Sequence, residues 1–162
     1  MRIRYLAAFS GLILMTACTT RYEMQHPFEK EVHQPYLKIG SGSISGQAFL
    51  RQRSGNVITA AGNTVWLSPA TPYMREFYQA RTKPNVTFSN MDSRIEPYIR
   101  KTMADLEGGF NFKDLPAGTY ILETTVTWEL PSSGLIPIYE GGPIIQEVTV
   151  GKGEKKKVVL TR

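Results

Sequence analysis

The run Gly109-Phe110-Asn111-Phe112-Lys113-Asp114-Leu115-Pro116-Ala117-Gly118-Thr119-Tyr120-Ile121-Leu122 decides the fold. Phe110 and Phe112 alternate with Asn111 and Lys113, the period of a strand with one buried face. Pro116-Ala117-Gly118 stops that strand with a turn. A second alternation follows at once. Tyr120, Leu122, Val126 and Trp128 share a face with Thr124, while Glu123, Thr125 and Thr127 share the other.

The same period of two extends in both directions. Ile44, Gly46, Ala48 and Leu50 alternate with Ser43, Ser45 and Gln47; Val65 and Leu67 alternate with Thr64 and Ser68. Ile144, Val148 and Val150 form a further face, followed by Val158 and Leu160. Ser54-Gly55-Asn56, Gly62-Asn63, Glu107-Gly108-Gly109 and Gly151-Lys152-Gly153 separate the runs. Strands of this kind cannot each bury a face alone, and two sheets packed face to face solve the problem. The expected fold class is therefore all-β: a seven-strand Greek-key β-sandwich with one short helix in an insertion. The helix is expected over 72–80, because Thr71-Pro72 reads as an N-cap followed by proline at the first helical position, and Tyr73, Phe77 and Ala80 follow at helical spacing. Residues 82–97, with Pro84 and Pro97, read as irregular.

These strands resemble the carboxypeptidase regulatory-like domain. Ile44-Ser45-Gly46-Gln47-Ala48-Phe49-Leu50 is similar to its opening strand, and Gly62 to Pro69 to its second strand. The run 109–122 is similar to the pattern G-x-F-x-F-x-x-L-P-x-G-x-Y-x-L, and the ending from Val148 to Leu160 to its closing hairpin. The resemblance spans residues 43–162 and implies a transthyretin/prealbumin-like sandwich. It says almost nothing about activity, because function resides in sites rather than in folds. The chain departs from the pattern by an insertion of roughly 30 residues before Gly109, which contains the expected helix.

The N-terminus carries a separate message. Arg2 and Arg4 precede an uncharged, mostly apolar stretch from Tyr5 to Met15, too short for a helix that spans a bilayer. Met15-Thr16-Ala17-Cys18 follows, and Cys18 is the only cysteine. This order resembles a bacterial lipoprotein signal. It implies a signal peptide over 1–17, lipid (palmitate among the acyl groups) on Cys18, and a flexible tether over 18–42 leading to the domain at 43–162. Thr19 after the cysteine implies sorting to the outer membrane, facing the periplasm. One cysteine excludes an internal disulfide framework or a cysteine-based zinc site. The net charge of +5, from 19 basic and 14 acidic residues, falls to +3 without Arg2 and Arg4, so a nucleic-acid partner is not expected.

The candidate chemistry is sparse. The chain has two histidines, His26 and His33, and both fall in the expected tether, so neither a catalytic base nor a metal site is expected in the domain. The chain reads as non-enzymatic, with no cofactor. Two surfaces are candidates for binding. One is the insertion, where Tyr73, Arg75, Phe77, Tyr78 and Arg81 either stack on a ligand such as a sugar or pack onto the sandwich. The other is the stretch Pro131–Pro143, whose Leu135, Ile136, Ile138 and Tyr139 form an apolar lip or fold back over the sandwich end. Lys155-Lys156-Lys157 reads as a solvated edge. The expected role is an adaptor that contacts another envelope protein. The alternatives are a glycan- or ligand-binding module, or an accessory lipoprotein of a secretion apparatus.

Overall fold

A computed structural model describes residues 19–131, 134 and 136–162. The expected signal peptide and Cys18 lie outside the described residues, as does Leu135. The chain forms β1 (Thr20–Tyr22), α1 (Lys30–His33), β2 (Gly42–Arg51), β3 (Val57–Thr59), β4 (Thr64–Pro69), α2 (Pro72–Arg81), β5 (Val86–Phe88), β6 (Arg100–Met103), β7 (Gly109–Leu115), β8 (Gly118–Leu130), β9 (Ile138–Val150) and β10 (Lys155–Leu160). Eight of the strands make a sandwich. In the first sheet β2 is central, flanked by β10 on one side and by β7 and β3 on the other. The second sheet runs β6-β4-β8-β9. The three-residue β3 and the four-residue β6 are the shortest members.

The alternation read from the sequence sets the two faces. Ile44, Ala48, Leu50, Phe110 and Phe112 of the first sheet meet Val65, Leu67, Leu122, Val126 and Ile144 of the second, all buried in one core. The strand pair of the run 109–122 does not form a hairpin. β7 pairs with β2 in the first sheet, while β8 pairs with β4 and β9 in the second, so the turn at Pro116-Ala117 carries the chain across the sandwich. Asp114 accepts a φ of +57° and Leu115 is fully buried at the crossing. The Tyr120 hydroxyl donates to the Pro116 carbonyl at 2.7 Å and fixes the return. The expected closing hairpin is likewise a crossover. After Val150 the chain leaves the second sheet, and β10 pairs in parallel with β2, Val158 opposite Gly46.

The helix forms where the sequence places it, running to Arg81, with the Thr71 hydroxyl accepting from the Met74 N–H at its N-terminus. It lies on the outer face of the second sheet. Tyr73, Met74 and Tyr78 pack there with Ile121, Ile95 and Tyr98 in a second apolar cluster.

The stretch expected as a flexible tether is part of this layer. β1 pairs in parallel with β5, and Met24, Phe28 and His33 are buried in or against the second cluster. His33 is gripped on both nitrogens. Nδ1 lies 2.7 Å from the Glu29 carbonyl, which can only accept, so Nδ1 carries the proton and Nε2 accepts from the Thr71 hydroxyl at 2.9 Å. The ring stacks on Phe28 with centroids 4.6 Å apart. Sequence patterning misses this packing because the segment has no sustained period; its anchors are single side chains that reach distant partners.

Glu76 on α2 fastens the segment. It accepts from the N–H groups of Gln25 and His26, each at 2.7 Å, from the Tyr22 hydroxyl at 2.9 Å and from His26 Nδ1 at 2.7 Å. Burial alone would raise its pKa. The four donors outweigh burial and hold the carboxyl down at about 2. A folded-state value below the unfolded one stabilises the packed segment above pH 4.5, and that contribution fades as pH falls toward 2. Glu76→Ala is therefore expected to expose residues 19–37 to limited proteolysis at neutral pH while the sandwich resists. The native protein should show the same pattern only on acidification below about pH 4. Equal protection in both proteins would contradict the role of Glu76.

Candidate ligand-binding face

The two outer faces of the sandwich differ. That of the second sheet presents Ile121, Ile145 and Ser68, and α2 covers it. This settles the position of the insertion residues. Tyr73 and Tyr78 are buried and Phe77 is half-buried, its ring 4.8 Å from that of Phe88. Arg75 grips Glu147 through two hydrogen bonds, at 2.8 and 3.0 Å. Arg81 donates at 2.8 Å to Glu123, whose carboxyl is pushed up by burial and drawn back by the guanidinium. Burial also raises the Tyr78 hydroxyl to about 12. The five residues are brought together, yet as packing and ion pairs. They do not form an open aromatic platform, because helical spacing turns both tyrosines inward. A cavity of about 240 Å³ remains between Arg75, Tyr78, Gln79 and Ile145.

The outer face of the first sheet has no such cover. Alternation along β2 points Ser43, Ser45 and Gln47 outward. Register places Lys155 beside Ser43, with Lys157 and Asn111 on either side of Ser45. Two depressions of about 710 and 420 Å³ share Ser45, Asn111 and Lys157 and together form one long trough. Its far end reaches Gln47, Val159 and Met103; its near end reaches Ser41, Lys113 and Asp114. Its lining is mixed: the hydroxyl, amide and ammonium groups of Ser43, Ser45, Gln47, Asn111, Lys155 and Lys157 alternate with apolar surface from Met103, Phe110, Val158 and Val159. Asp105 at the far end is already engaged, accepting from the N–H groups of Glu107 and Gly109 at 2.9 and 2.6 Å. Gly46 lies in the floor, where a Cβ would strike the Val158 carbonyl and the Phe110 ring. The signal for the trough was present in the sequence as the polar half of each alternation, but which strands adjoin is a matter of topology.

The apolar lip behaves differently from the insertion. Ile136 and Tyr139 are exposed and Ile138 is about half-exposed, at the tip of the β8–β9 hairpin beyond the sandwich. Sequence reasoning missed the arginines beneath it. Arg51, Arg53 and Arg162 converge with Trp128, Glu140 and Gly141 on a pocket of about 230 Å³. The described residues contain no group of three or more His, Cys, Asp or Glu that could hold a metal ion, and no helix among them is long and apolar enough to cross a membrane.

The fold and these surfaces define a β-sandwich with one covered and one open sheet. A crystal structure of a "putative carbohydrate binding protein" from Pseudomonas aeruginosa is similar to this chain, with a TM-score of 0.74 and 32% identity over 83% of this chain and 97% of that one. The chain belongs to the family of that protein. A minor pilin from Streptococcus agalactiae matches at 19% identity and a TM-score of 0.38, over 76% of this chain and 44% of that one. No protein-family profile and no curated protein sequence matches the chain.

Gly46→Ala should force β10 away from β2 and lower the melting temperature by several degrees, a cost of about 1–3 kcal/mol. Gly62→Ala, with open space around its Cβ but a φ of +72°, isolates backbone strain from collision and should cost less. Equal losses would mean that the trough floor is not tightly packed.

Proposed function

We propose that this protein is a non-catalytic, lipid-anchored module of the cell envelope that binds a glycan chain along the trough of its first sheet. The observation that carries this reading is the open outer face itself, long, concave and lined by Ser43, Ser45, Gln47, Asn111, Lys155 and Lys157. Such groups donate and accept the hydrogen bonds that sugar hydroxyls require. The description of the Pseudomonas relative agrees with it. The adaptor reading rests on the exposed Ile138 and Tyr139 alone and takes second place. His33 is buried and bonded on both ring nitrogens, which supports a structural role for it. The sandwich is of carboxypeptidase regulatory-like type on its motifs.

Lipid on Cys18 anchors the module in the outer membrane, facing the periplasm. The Thr20 N–H donates to the Asn85 carbonyl at 2.8 Å, so Thr19 alone stands between the anchor and the fold, a span of at most about 7 Å. The layer of β1, β5 and α2 then lies toward the bilayer, with Arg21 and Lys83 near the headgroups. The trough, on the outer face of the other sheet, is turned away from the membrane.

Two measurements test this. Purified mature protein should be retained on insoluble peptidoglycan, and the Ser45→Ala/Asn111→Ala variant should lose at least about tenfold in affinity, the effect of one to two hydrogen bonds. Unchanged retention of the variant would contradict the trough. Cys18→Ser should abolish incorporation of a fatty-acid analogue and release the protein from membranes; continued labelling would contradict the anchor.

A further inference from the structure

The pocket beneath the β8–β9 tip has features that the trough does not explain. Arg75, Arg81 and Arg94 each hold a carboxylate within 4 Å. Arg51, Arg53 and Arg162 hold none among the described residues, although Glu140 lines the same pocket. Arg51 donates only to the Gly55 carbonyl, at 3.1 Å, and Arg162 only to the Gly141 carbonyl, at 2.7 Å. Three guanidinium groups against one unpaired carboxylate leave an excess of positive charge in a space of about 230 Å³.

The opposite wall is apolar. It is formed by Leu50 and by Trp128, which register places beside Glu140 on the same face of the hairpin. Gly141, at a φ of +103°, leaves the Trp128 ring uncrowded, since a Cβ there would lie 3.0 Å from the ring and strike the Val126 carbonyl. The Trp128 Nε1–H is buried and donates to no protein atom. A buried donor without a partner is costly unless something else accepts from it.

We infer that this pocket binds an anionic sugar residue, its ring against Trp128 and its carboxylate or phosphate on Arg51, Arg53 and Arg162. Guanidinium groups match both anions through paired hydrogen bonds, and a pyranose ring presents an apolar face to an indole. The volume is below the roughly 300–1,000 Å³ of drug-sized sites and suits one ring carrying one charged group. The pocket lies at the end of the sandwich, apart from the trough. The inference rests on the glycan reading for the sugar but on its own residues for the anion.

The test uses the mature protein in a Trp66→Phe background, where Trp128 is the sole tryptophan. Titration with digalacturonic acid, and separately with glucose 1-phosphate, should change Trp128 emission with at least one of the two, while uncharged maltose should not. Arg53→Ala/Arg162→Ala should weaken that response at least tenfold with an unchanged circular-dichroism spectrum. Ser45→Ala/Asn111→Ala should leave it intact, so that failure of the trough and failure of the pocket are distinguishable. Absence of any emission change with both acids, or a response undiminished in the arginine variant, overturns the proposal. Equal affinity for inorganic phosphate overturns the assignment to a sugar.

Discussion

Everything in this molecule follows from what the two sheets present on their outer faces. Ile121 and Ile145 point out of the second sheet, and exposed there they would leave apolar surface in water. The insertion and the N-terminal segment exist to cover them. The first sheet presents serine, glutamine, asparagine and lysine at the equivalent positions and needs no cover. One face thus becomes a packed layer and the other remains open to solvent. The same asymmetry places β1 and the segment that follows it in the packed layer, opposite the open face.

Charge is distributed by the same division. In the packed layer three carboxylates are paired or saturated: Glu76 with four donors, Glu147 with Arg75, Glu123 with Arg81. Glu76 and Glu123 are side chains that packing has drawn away from water, and their donors satisfy them there; the Arg75–Glu147 pair lies at the surface. Outside that layer Lys113, Lys155 and Lys157 line the trough, and neither they nor the arginines at the sandwich end hold a carboxylate among the described residues.

The sandwich was legible in the sequence because alternation is a local signal. Phe110, Phe112, Tyr120 and Leu122 announce buried faces, and Thr71-Pro72 announces a helix start, without reference to anything distant. Which sheet each strand joins was not legible. The turns at Pro116 and Gly151 read as hairpins, and whether a turn reverses within a sheet or crosses between sheets depends on partners far along the chain. The N-terminal segment was misread for the same reason. Its order comes from Glu76 and Thr71, which lie about 40 to 50 residues away. The aromatic insertion was located correctly, but composition could not say which rings would be buried. The trough and the arginine pocket each require strands that are distant in sequence to become neighbours.

The uncovered sheet is the proposed binding surface. Backbone amide shifts of the isotope-labelled mature protein, titrated with soluble peptidoglycan fragments, test it most directly. The account predicts that the perturbed amides concentrate at Ser43, Ser45, Gln47, Asn111 and Lys157, with α2 unmoved. Perturbations confined to Pro72–Arg81 and the outer face of the second sheet, or none at saturating fragment, would contradict it.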